Sequence, residues 1–496
     1  MGADAPPVAV RSSDTLKVHM KSGALYMLDA WTVDTAARAI RGAGTHYDLH
    51  RSATPAPDAT IPMDSVALFE TTDAAAAWPL GMQGMAAMAT LGAYVSAVCL
   101  ADPKSCFGSC PTFYLEGDEP DRVHAEGFSA SVARVLEERD VDAMPRANLR
   151  GRRVTVVMKN EAWETHVVRR VNLLAAPRPA GGRVLADGDS AFIVANRVHE
   201  IRSCAGEEGS CLAALRSLDD RERHSAADSL DLASREYVEL EFPRPAGRAG
   251  VVLTARNSLI TTFLFYQSMA YVGANMGAMV ASFERGGRTF AQAHFAMARL
   301  LGDIDVELWD GERWIPAGSF GEPGPIAADT KVIPLREPLP DGDAIRVRLR
   351  MARGNWRLDW VALAELGERA PVTRIAPTLV KHGVSVSPRA LETLRDSART
   401  LVTMPGDEYR LVYDLPAPAE SLELFLESEG YYYEWQRREW IAEEDATLAA
   451  MVVMNPAELL RRLAPTYKRG EARMEQLFWE SRFNSAMERG GNHARR

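Results

Sequence analysis

Two cysteines with three residues between them are the side chains in this sequence with the clearest capacity for chemistry. Cys106 and Cys110 lie in KSCFGSCPTFYLEGDEP. Two thiolates at this spacing can share one soft metal ion, as in copper chaperones, or form a redox pair. A metal site also needs a third ligand, commonly His, and the neighbouring sequence provides none. We therefore predict a disulfide that closes a turn before the strand PTFYL, with metal binding, redox chemistry and free thiols as the alternatives.

A second pair of cysteines, Cys204 and Cys211, brackets the polar segment AGEEGS. This spacing predicts a disulfide that closes a short loop. The fifth cysteine, Cys99, lies in an uncharged run. Local disulfides of this kind are typical of an oxidising compartment, whereas the same cysteines in a reducing cytosol would be free thiols.

The segment HYDLH is the weakest candidate for chemistry. If it is a strand, His46, Asp48 and His50 point to one side. Two imidazoles and a carboxylate can hold iron or zinc. The pattern is short and lies beside a loop, where solvated strand-edge residues are the simpler interpretation. We therefore assign no metal site and expect no cofactor.

A cluster of aromatic residues in GYYYEWQRREW provides a candidate ligand surface, which consists of Tyr431, Tyr432, Trp435 and Trp440. Such rings can stack on a sugar or a peptide, or lie at a membrane interface. The alternative is a helix that packs its aromatic face against a sheet. The sequence contains no GxSxG, HExxH, P-loop or dinucleotide motif. We therefore assign no catalytic residue, and we consider an enzyme the less favoured class.

The elements that must position these residues begin with a small β-barrel. The chain has 496 residues, enough for roughly three structural units. Residues 12–72 contain short strands with alternating apolar and polar residues, which predict an Sm-like or SH3-like barrel.

Residues 74–101 carry no charge and predict an apolar helix, either a membrane anchor or a packed helix. The net charge of −10 argues against a nucleic-acid partner.

The rest of the chain is predicted to be mainly β, with helices at its end. Residues 103–370 contain strands separated by turn signals, which favour a β-sandwich, and residues 257–283 predict a buried helix within it. The strands in 303–365 are similar to those of jelly-roll, galactose-binding-like domains. Residues 371–496 are predicted to be mainly helical, with helix starts at Ser387 and Asn455. The fold class is therefore α+β, mainly β.

Several motifs along the chain resemble a family of bacterial envelope-associated proteins. They are CFGSCPTFY, AEGFSAS, LEERDVD, PGDEYRLVYDLP, LESEGYYYEW and MEQLFWESRF, and the resemblance covers about residues 15–485. It implies a location on the periplasmic side of the cell envelope, but no activity and no catalytic residues. Relatives would begin with a signal peptide, whereas the first residues here contain no apolar core of a signal sequence.

These observations favour a non-catalytic envelope protein that acts as a binding or scaffold component. Its expected contacts are a carbohydrate or protein ligand and a membrane, the latter through residues 74–101. Two alternatives remain open. One is a hydrolase that acts on envelope glycan or peptide, and either two facing carboxylates in a cleft or a His beside a Ser or Cys would favour it. The other is a metal-handling protein that uses Cys106 and Cys110.

Overall fold

A computed structural model of the chain confirms the predicted class, mainly β with helices at the C-terminal end. The structure describes residues 15–22, 24–34, 37–48, 52–72, 110–119, 122–162, 164–321, 323–436 and 438–482. The predicted apolar helix at 74–101 lies outside these residues. None of the helices within the described ranges combines the length and the hydropathy needed to cross a bilayer.

The N-terminal unit is the predicted small barrel. Its strands are β1 (Thr15–Met20), β2 (Leu25–Asp34), β3 (Ala39–Tyr47), β4 (Ala53–Pro62) and β5 (Val66–Thr72). They are antiparallel and lie in the order β4-β3-β2-β1-β5. The alternation predicted for β1 is present, since Leu16 and Val18 are buried in the barrel core with Leu28, Ile40 and Ile61.

The remaining strands follow in three groups along the chain. The first group is β6 (Thr112–Leu115), β7 (Ala125–Glu126), β8 (Glu138–Ala143), β9 (Arg153–Lys159) and β10 (Glu164–Pro177). The second group is β11 (Arg183–Asp187), β12 (Ala191–His199), β13 (Ser203–Gly206), β14 (Gly209–Ser210), β15 (Arg223–His224), β16 (Arg235–Pro243), β17 (Ala249–Asn257), β18 (Ile304–Trp309), β19 (Trp314–Phe320), β20 (Asp329–Pro334), β21 (Ala344–Ala352) and β22 (Trp356–Arg369). The third group is β23 (Thr373–Ile375), β24 (Leu379–His382), β25 (Ser385–Val386), β26 (Leu401–Thr403), β27 (Glu408–Asp414) and β28 (Leu422–Glu434).

The first and third groups together form one β-sandwich, which we call the first sandwich. One of its sheets has the order β25-β24-β27-β9-β6-β7, and the other has the order β23-β10-β28-β8, with β26 also paired to β10. The two sheets share one apolar core that includes Phe113, Val156, Leu173, Tyr413 and Leu426. Residues 373–434 therefore return to the sheets, and the helical end begins only at Arg438 rather than near residue 371.

The middle group of strands forms the second sandwich. Its sheets have the orders β12-β11-β20-β17-β22-β15 and β14-β13-β16-β21-β18-β19. Alternating residues of both sheets, among them Leu240, Leu253, Val347, Leu349 and Leu363, are fully or almost fully buried in a shared apolar core. This unit contains the strands that we predicted to be jelly-roll-like.

Eight helices are present among the described residues. They are α1 (Leu212–Leu215), α2 (Ile260–Val272), α3 (Met276–Ala293), α4 (Ala296–Leu301), α5 (Pro388–Arg395), α6 (Arg438–Ala442), α7 (Ala446–Met454) and α8 (Pro456–Arg482). Helices α2 and α3 confirm the helix predicted near 257–283, and α2 is apolar on all sides because it packs against other helices. The Ser387 side chain caps α5 as predicted, but α5 ends at Arg395 because residues 401–403 form β26.

A close contact joins the barrel to the helices. The backbone of Gly277 in α3 lies directly against the ring of His19 in β1, so a side chain at position 277 would collide with that ring. Near this contact, the Arg285 guanidinium donates a hydrogen bond to the carbonyl oxygen of Ser22 at 2.9 Å. The small size of glycine at position 277 thus permits the barrel to pack closely against α3.

Candidate binding cleft

A branched cleft lies where α2, α3, α4 and α7 meet the two sandwiches. Three cavities compose it, with volumes of about 260, 450 and 370 Å³. Thr261, Phe295 and Ala298 line all three cavities, so the cavities adjoin one another at these residues. We call the whole space the central cleft. Its size and its mixture of apolar and polar walls are those of a small-molecule site.

The smallest cavity is the apolar arm of the central cleft. It is lined mainly by apolar side chains of four helices: Leu264, Phe265, Met269 and Val272 of α2, Met279 and Phe283 of α3, Met297 and Ala298 of α4, and Ala449, Val452 and Val453 of α7. Methionine and phenylalanine walls adapt to the shape of an apolar ligand. This arm can therefore accept an alkyl or aromatic group.

The largest cavity is the carboxylate arm. Its inner wall carries Glu126 from β7, Glu434 from the end of β28, Tyr432 and Cys110. Its rim carries Arg288 and Arg299, and the Arg288 guanidinium lies 3.0 Å from the Glu138 carboxylate. The arm therefore combines negative groups at depth with cations at the rim.

Fixed hydrogen bonds hold both inner carboxylates in place. Glu126 accepts hydrogen bonds from the backbone N–H groups of Ile326 and Ala327, at 2.7 and 3.4 Å. The Glu126 carboxylate also lies so close to Gly324 that no side chain would fit there. Glu434 accepts a hydrogen bond of 2.6 Å from the hydroxyl of Tyr266 in α2. Such bonds offset the cost of burying a carboxylate.

The Cys110 thiol lies beside these carboxylates and is held in its protonated form. Burial raises the pKa of the Cys110 thiol well above its ordinary value, and the negative charges of Glu126 and Glu164 raise it further. Burial likewise raises the pKa of Tyr432, whose hydroxyl donates a hydrogen bond of 2.9 Å to the Ser129 carbonyl. A protonated thiol is a poor nucleophile and a poor metal ligand, which disfavours chemistry at Cys110.

A buried pair of hydrogen-bonded side chains lies next to the carboxylate arm. His166 Nε2 and Glu164 Oε1 are 2.8 Å apart, and both side chains are almost completely buried. The ring of His166 meets the ring of Tyr432 edge to face, with centroids 6.5 Å apart. This pairing arises because His166 and Tyr432 are opposite each other in the β10 and β28 ladder.

The third cavity is the amide arm, at the end of the second sandwich. Asn257 at the end of β17 and Asn355 in the turn before β22 line it together with Asp303 and Asp305. The turn is rigid because the Ser258 hydroxyl donates to the carbonyl oxygen of Gly354 at 2.6 Å and the Ser258 N–H to that of Asn355 at 2.8 Å. This arm offers amides and carboxylates to a polar group.

The two predicted disulfides have different outcomes. Cys204 and Cys211 form the predicted bond, with 5.2 Å between their Cα atoms. Cys110 instead carries a free, buried thiol, so the predicted bond to Cys106 is not formed there. Cys110 instead lines the wall of the carboxylate arm. Cys106 itself lies outside the described residues.

The HYDLH residues make local contacts. His46 Nδ1 is 3.4 Å from the Thr54 hydroxyl, and the His46 ring lies 4.6 Å from that of Tyr26. Asp48 accepts a hydrogen bond of 2.8 Å from the Ser52 N–H, and His50 lies outside the described residues. Across the described ranges, no three His, Cys, Asp or Glu side chains are grouped as metal ligands would be.

The predicted aromatic surface is divided between two environments. Residues up to Glu434 belong to strand β28, so the predicted helix is wrong for Tyr431 and Tyr432, which point to opposite faces of the sheet. Tyr432 is buried in the carboxylate arm, and Trp440 of α6 is buried against Tyr266. Tyr431 is half-buried and packs against the ring of Tyr433. Only Trp435 is exposed, at 38%.

Sequence reasoning missed the two inner carboxylates of the cleft. Glu126 occupies a two-residue strand in VHAEGF, which is too short to show a period. Glu434 ends a strand that we interpreted as part of a helix. The one available signal was that each glutamate lies within an apolar or aromatic run. A glutamate in such a run can be buried only if its carboxylate has fixed partners.

No known family model matches the chain, and no curated protein is significantly similar to it.

Proposed function

We propose that the protein is a non-catalytic binding component of the bacterial cell envelope and that the central cleft is its ligand site. The observation that carries this proposal is the meeting of an apolar arm and two polar arms at Thr261, Phe295 and Ala298. A ligand that fits this shape is amphipathic, with an apolar group and a polar head. The head would be uncharged overall, because the carboxylate arm combines buried glutamates with rim arginines.

The fixed partners of the inner carboxylates favour binding over catalysis. Glu126 and Glu434 already accept hydrogen bonds from the backbone and from Tyr266, which orient their oxygens. A carboxylate held in this way is preorganised to accept hydrogen bonds from hydroxyl or amide groups of a ligand. The protonated thiol of Cys110 adds no nucleophile to the wall.

A local disulfide that closes an exposed loop supports the envelope location. Cys204 and Cys211 close a loop of the second sandwich, and such disulfides persist in oxidising compartments. Membrane contact through residues 74–101 is proposed from their uncharged composition alone. Cell fractionation combined with thiol labelling tests the location. An oxidised Cys204–Cys211 pair in the periplasmic or membrane fraction supports the proposal, and a cytosolic protein with reduced Cys204 and Cys211 contradicts it.

The binding proposal is tested by blocking the junction of the three arms. Ala298→Trp places a large ring where the cavities meet, and Ala450→Trp makes the same change on the exposed face of α7. We expect the neutral fluorescent probe N-phenyl-1-naphthylamine to bind the wild-type protein and Ala450→Trp. Octyl glucoside below its micelle concentration should displace it.

For Ala298→Trp we expect binding of the probe to weaken by about tenfold or more, which corresponds to about 1.4 kcal/mol. Circular dichroism and thermal unfolding establish that both variants are folded. Equal probe binding by the two folded tryptophan variants, or no binding by the wild-type protein, would contradict the proposal.

A hydrolase is the second candidate, because Glu126 and Glu434 line the same cavity. Two carboxylates that face one substrate can act as general acid and base. Incubation with peptidoglycan and envelope oligosaccharides, followed by mass spectrometry, decides between the two functions. Cleavage that is lost in both Glu126→Gln and Glu434→Gln would establish the enzyme, and intact substrate that remains bound would favour the binding component.

A further inference from the structure

The outer face of the second sandwich carries a row of aromatic and arginine side chains that no part of the central cleft uses. Strands β16, β21, β18 and β19 are neighbours in one sheet. Val238, Val347 and Leu349 point into the apolar core. Their neighbours in sequence must point outward, because successive side chains of a strand alternate. We call this solvent side the outer face.

The aromatic rings of the outer face lie side by side across the strands. Trp309 and Trp314 are directly opposite each other in the β18 and β19 ladder, with ring centroids 5.3 Å apart. The guanidinium of Arg346 lies 5.2 Å from the centre of the Trp309 ring. The guanidinium of Arg348 lies 4.7 Å from the rings of both Trp314 and Tyr237. The row therefore crosses four strands, or about 14 Å at 4.8 Å per strand.

These side chains are accessible. Tyr237 is 44% exposed, and Trp309 and Trp314 are partly exposed. Large aromatic rings on the solvent side of a sheet contribute little to a core that is already closed by aliphatic residues. Exposed aromatic rows of this kind are typical of interaction sites rather than of folding.

The charges of the outer face are balanced within it. Arg348 lies 2.6 Å from Glu307, Arg346 lies 3.4 Å from Glu239, and Arg350 lies 3.8 Å from Asp305. Each of these three arginines thus has a carboxylate partner, and the three pairs have no surplus charge to attract a polyanion such as nucleic acid. The guanidinium groups lie over the aromatic rings, and the ion pairs present both donors and acceptors beside them.

We propose that the outer face binds a neutral oligosaccharide. The C–H face of a sugar ring packs on a flat aromatic ring, while its hydroxyl groups donate to carboxylates and accept from guanidinium groups. A row of about 14 Å accommodates several sugar units rather than one. The balanced charges select a neutral chain over an acidic one. This site is separate from the central cleft and does not depend on the function proposed for it.

The experiment is a titration of the full chain with cellohexaose, chitohexaose and xylohexaose, with polygalacturonate as the acidic comparison, monitored by calorimetry and tryptophan fluorescence. We expect at least one neutral hexasaccharide to bind. Trp314→Ala should weaken that binding by about tenfold or more, the effect of removing one aromatic contact. The matched control is Phe69→Ala, which removes an exposed aromatic ring of the barrel and should leave binding unchanged.

Thermal unfolding must show that Trp314→Ala is folded, and Tyr237→Ala provides a second variant at the opposite side of Arg348. No binding to any neutral hexasaccharide, tighter binding to polygalacturonate, or equal binding by the wild-type protein and folded Trp314→Ala and Tyr237→Ala would overturn the proposal. Ala298→Trp separates the two sites, since it should leave hexasaccharide binding intact.

Discussion

Glu126, Glu164 and Glu434 of the first sandwich are only 1%, 0% and 4% exposed, whereas Glu239 and Glu307 of the second sandwich lie on its outer face. Both sandwiches are pairs of antiparallel sheets around an apolar core. They differ in where the polar side chains are placed. In the first sandwich, the carboxylates at the contact with the helices are buried, whereas those on the outer face of the second sandwich pair with arginines near the solvent. Elsewhere in the second sandwich, Glu236, Asp329 and Asp359 are buried too.

The two sandwiches therefore carry two kinds of polar site, one with buried carboxylates and one with ion pairs near the surface. A buried carboxylate is stable only if its hydrogen bonds are complete, as with the bond from Tyr266 to Glu434. An exposed ion pair contributes little to stability and can change at small cost. The central cleft of the first sandwich should therefore tolerate few substitutions, and the outer face of the second should tolerate many without loss of folding.

The largest expected difference in the free energy of unfolding is between a core variant and an outer-face variant of the second sandwich. Phe242 is fully buried, and Phe242→Ala should lower the free energy of unfolding by about 3–5 kcal/mol, because it leaves a cavity. Tyr237 lies on the outer face of the same strand, and Tyr237→Ala should cost less than about 1 kcal/mol. Urea denaturation measures both values. Equal losses would show that the outer face belongs to the folding core.

The next largest expected difference in the free energy of unfolding is between cysteine variants of the two sandwiches. Replacing both Cys204 and Cys211 by Ser opens a loop of the second sandwich and should cost about 2–3 kcal/mol, from the loop-closure entropy. Cys110→Ala in the first sandwich should cost only about 1 kcal/mol, since it removes one small buried group. Denaturation under oxidising conditions measures both. A larger loss for Cys110→Ala would indicate that its thiol has a bonded partner.

The smallest effect concerns pH and a carboxyl group of the first sandwich. Burial raises the pKa of Asp140 to about 7, and the negative charges of Asp189 and Asp329 oppose the lowering effect of Lys331. A raised carboxyl pKa favours the folded protein at low pH, and this contribution is lost as the pH rises from about 4 to about 7. Asp140→Asn keeps the neutral form at every pH.

We therefore expect Asp140→Asn and the wild-type protein to have the same free energy of unfolding near pH 4. At pH 8 the free energy of unfolding of Asp140→Asn should be higher by at least about 1 kcal/mol, the equivalent of roughly one pKa unit. Thermal unfolding as a function of pH measures the difference. Asp341→Asn, in an exposed turn of the second sandwich, is the control and should show no such trend. A constant difference between wild type and Asp140→Asn at all pH values would exclude the raised pKa.

Local sequence signals predicted much of the fold. The alternation of Leu16 and Val18 predicted a strand of the barrel, the uncharged run at 257–283 predicted a buried helix, and Ser387 predicted a helix start. Each of these depends on residues that are near one another in the sequence. The loop between Cys204 and Cys211 was predicted for the same reason.

The central cleft could not be predicted, because distant segments of the chain build it. Glu126 and Glu434 are more than 300 positions apart, and neither has a periodic signal around it. The return of residues 373–434 to the first sandwich also depends on long-range strand pairing, such as that between β10 and β28. Tyr432 was a candidate for a ligand surface, with a packed helix as the alternative. It instead lies in strand β28 and lines a buried wall.

The most direct test of the central claim is saturation-transfer NMR with octyl glucoside below its micelle concentration. If the central cleft binds an amphipathic ligand, the alkyl protons should receive the strongest saturation from the wild-type protein, because the apolar arm encloses them. The signal should disappear in Ala298→Trp and persist in Trp314→Ala. Equal saturation of the alkyl protons by the wild-type protein and folded Ala298→Trp would contradict the account.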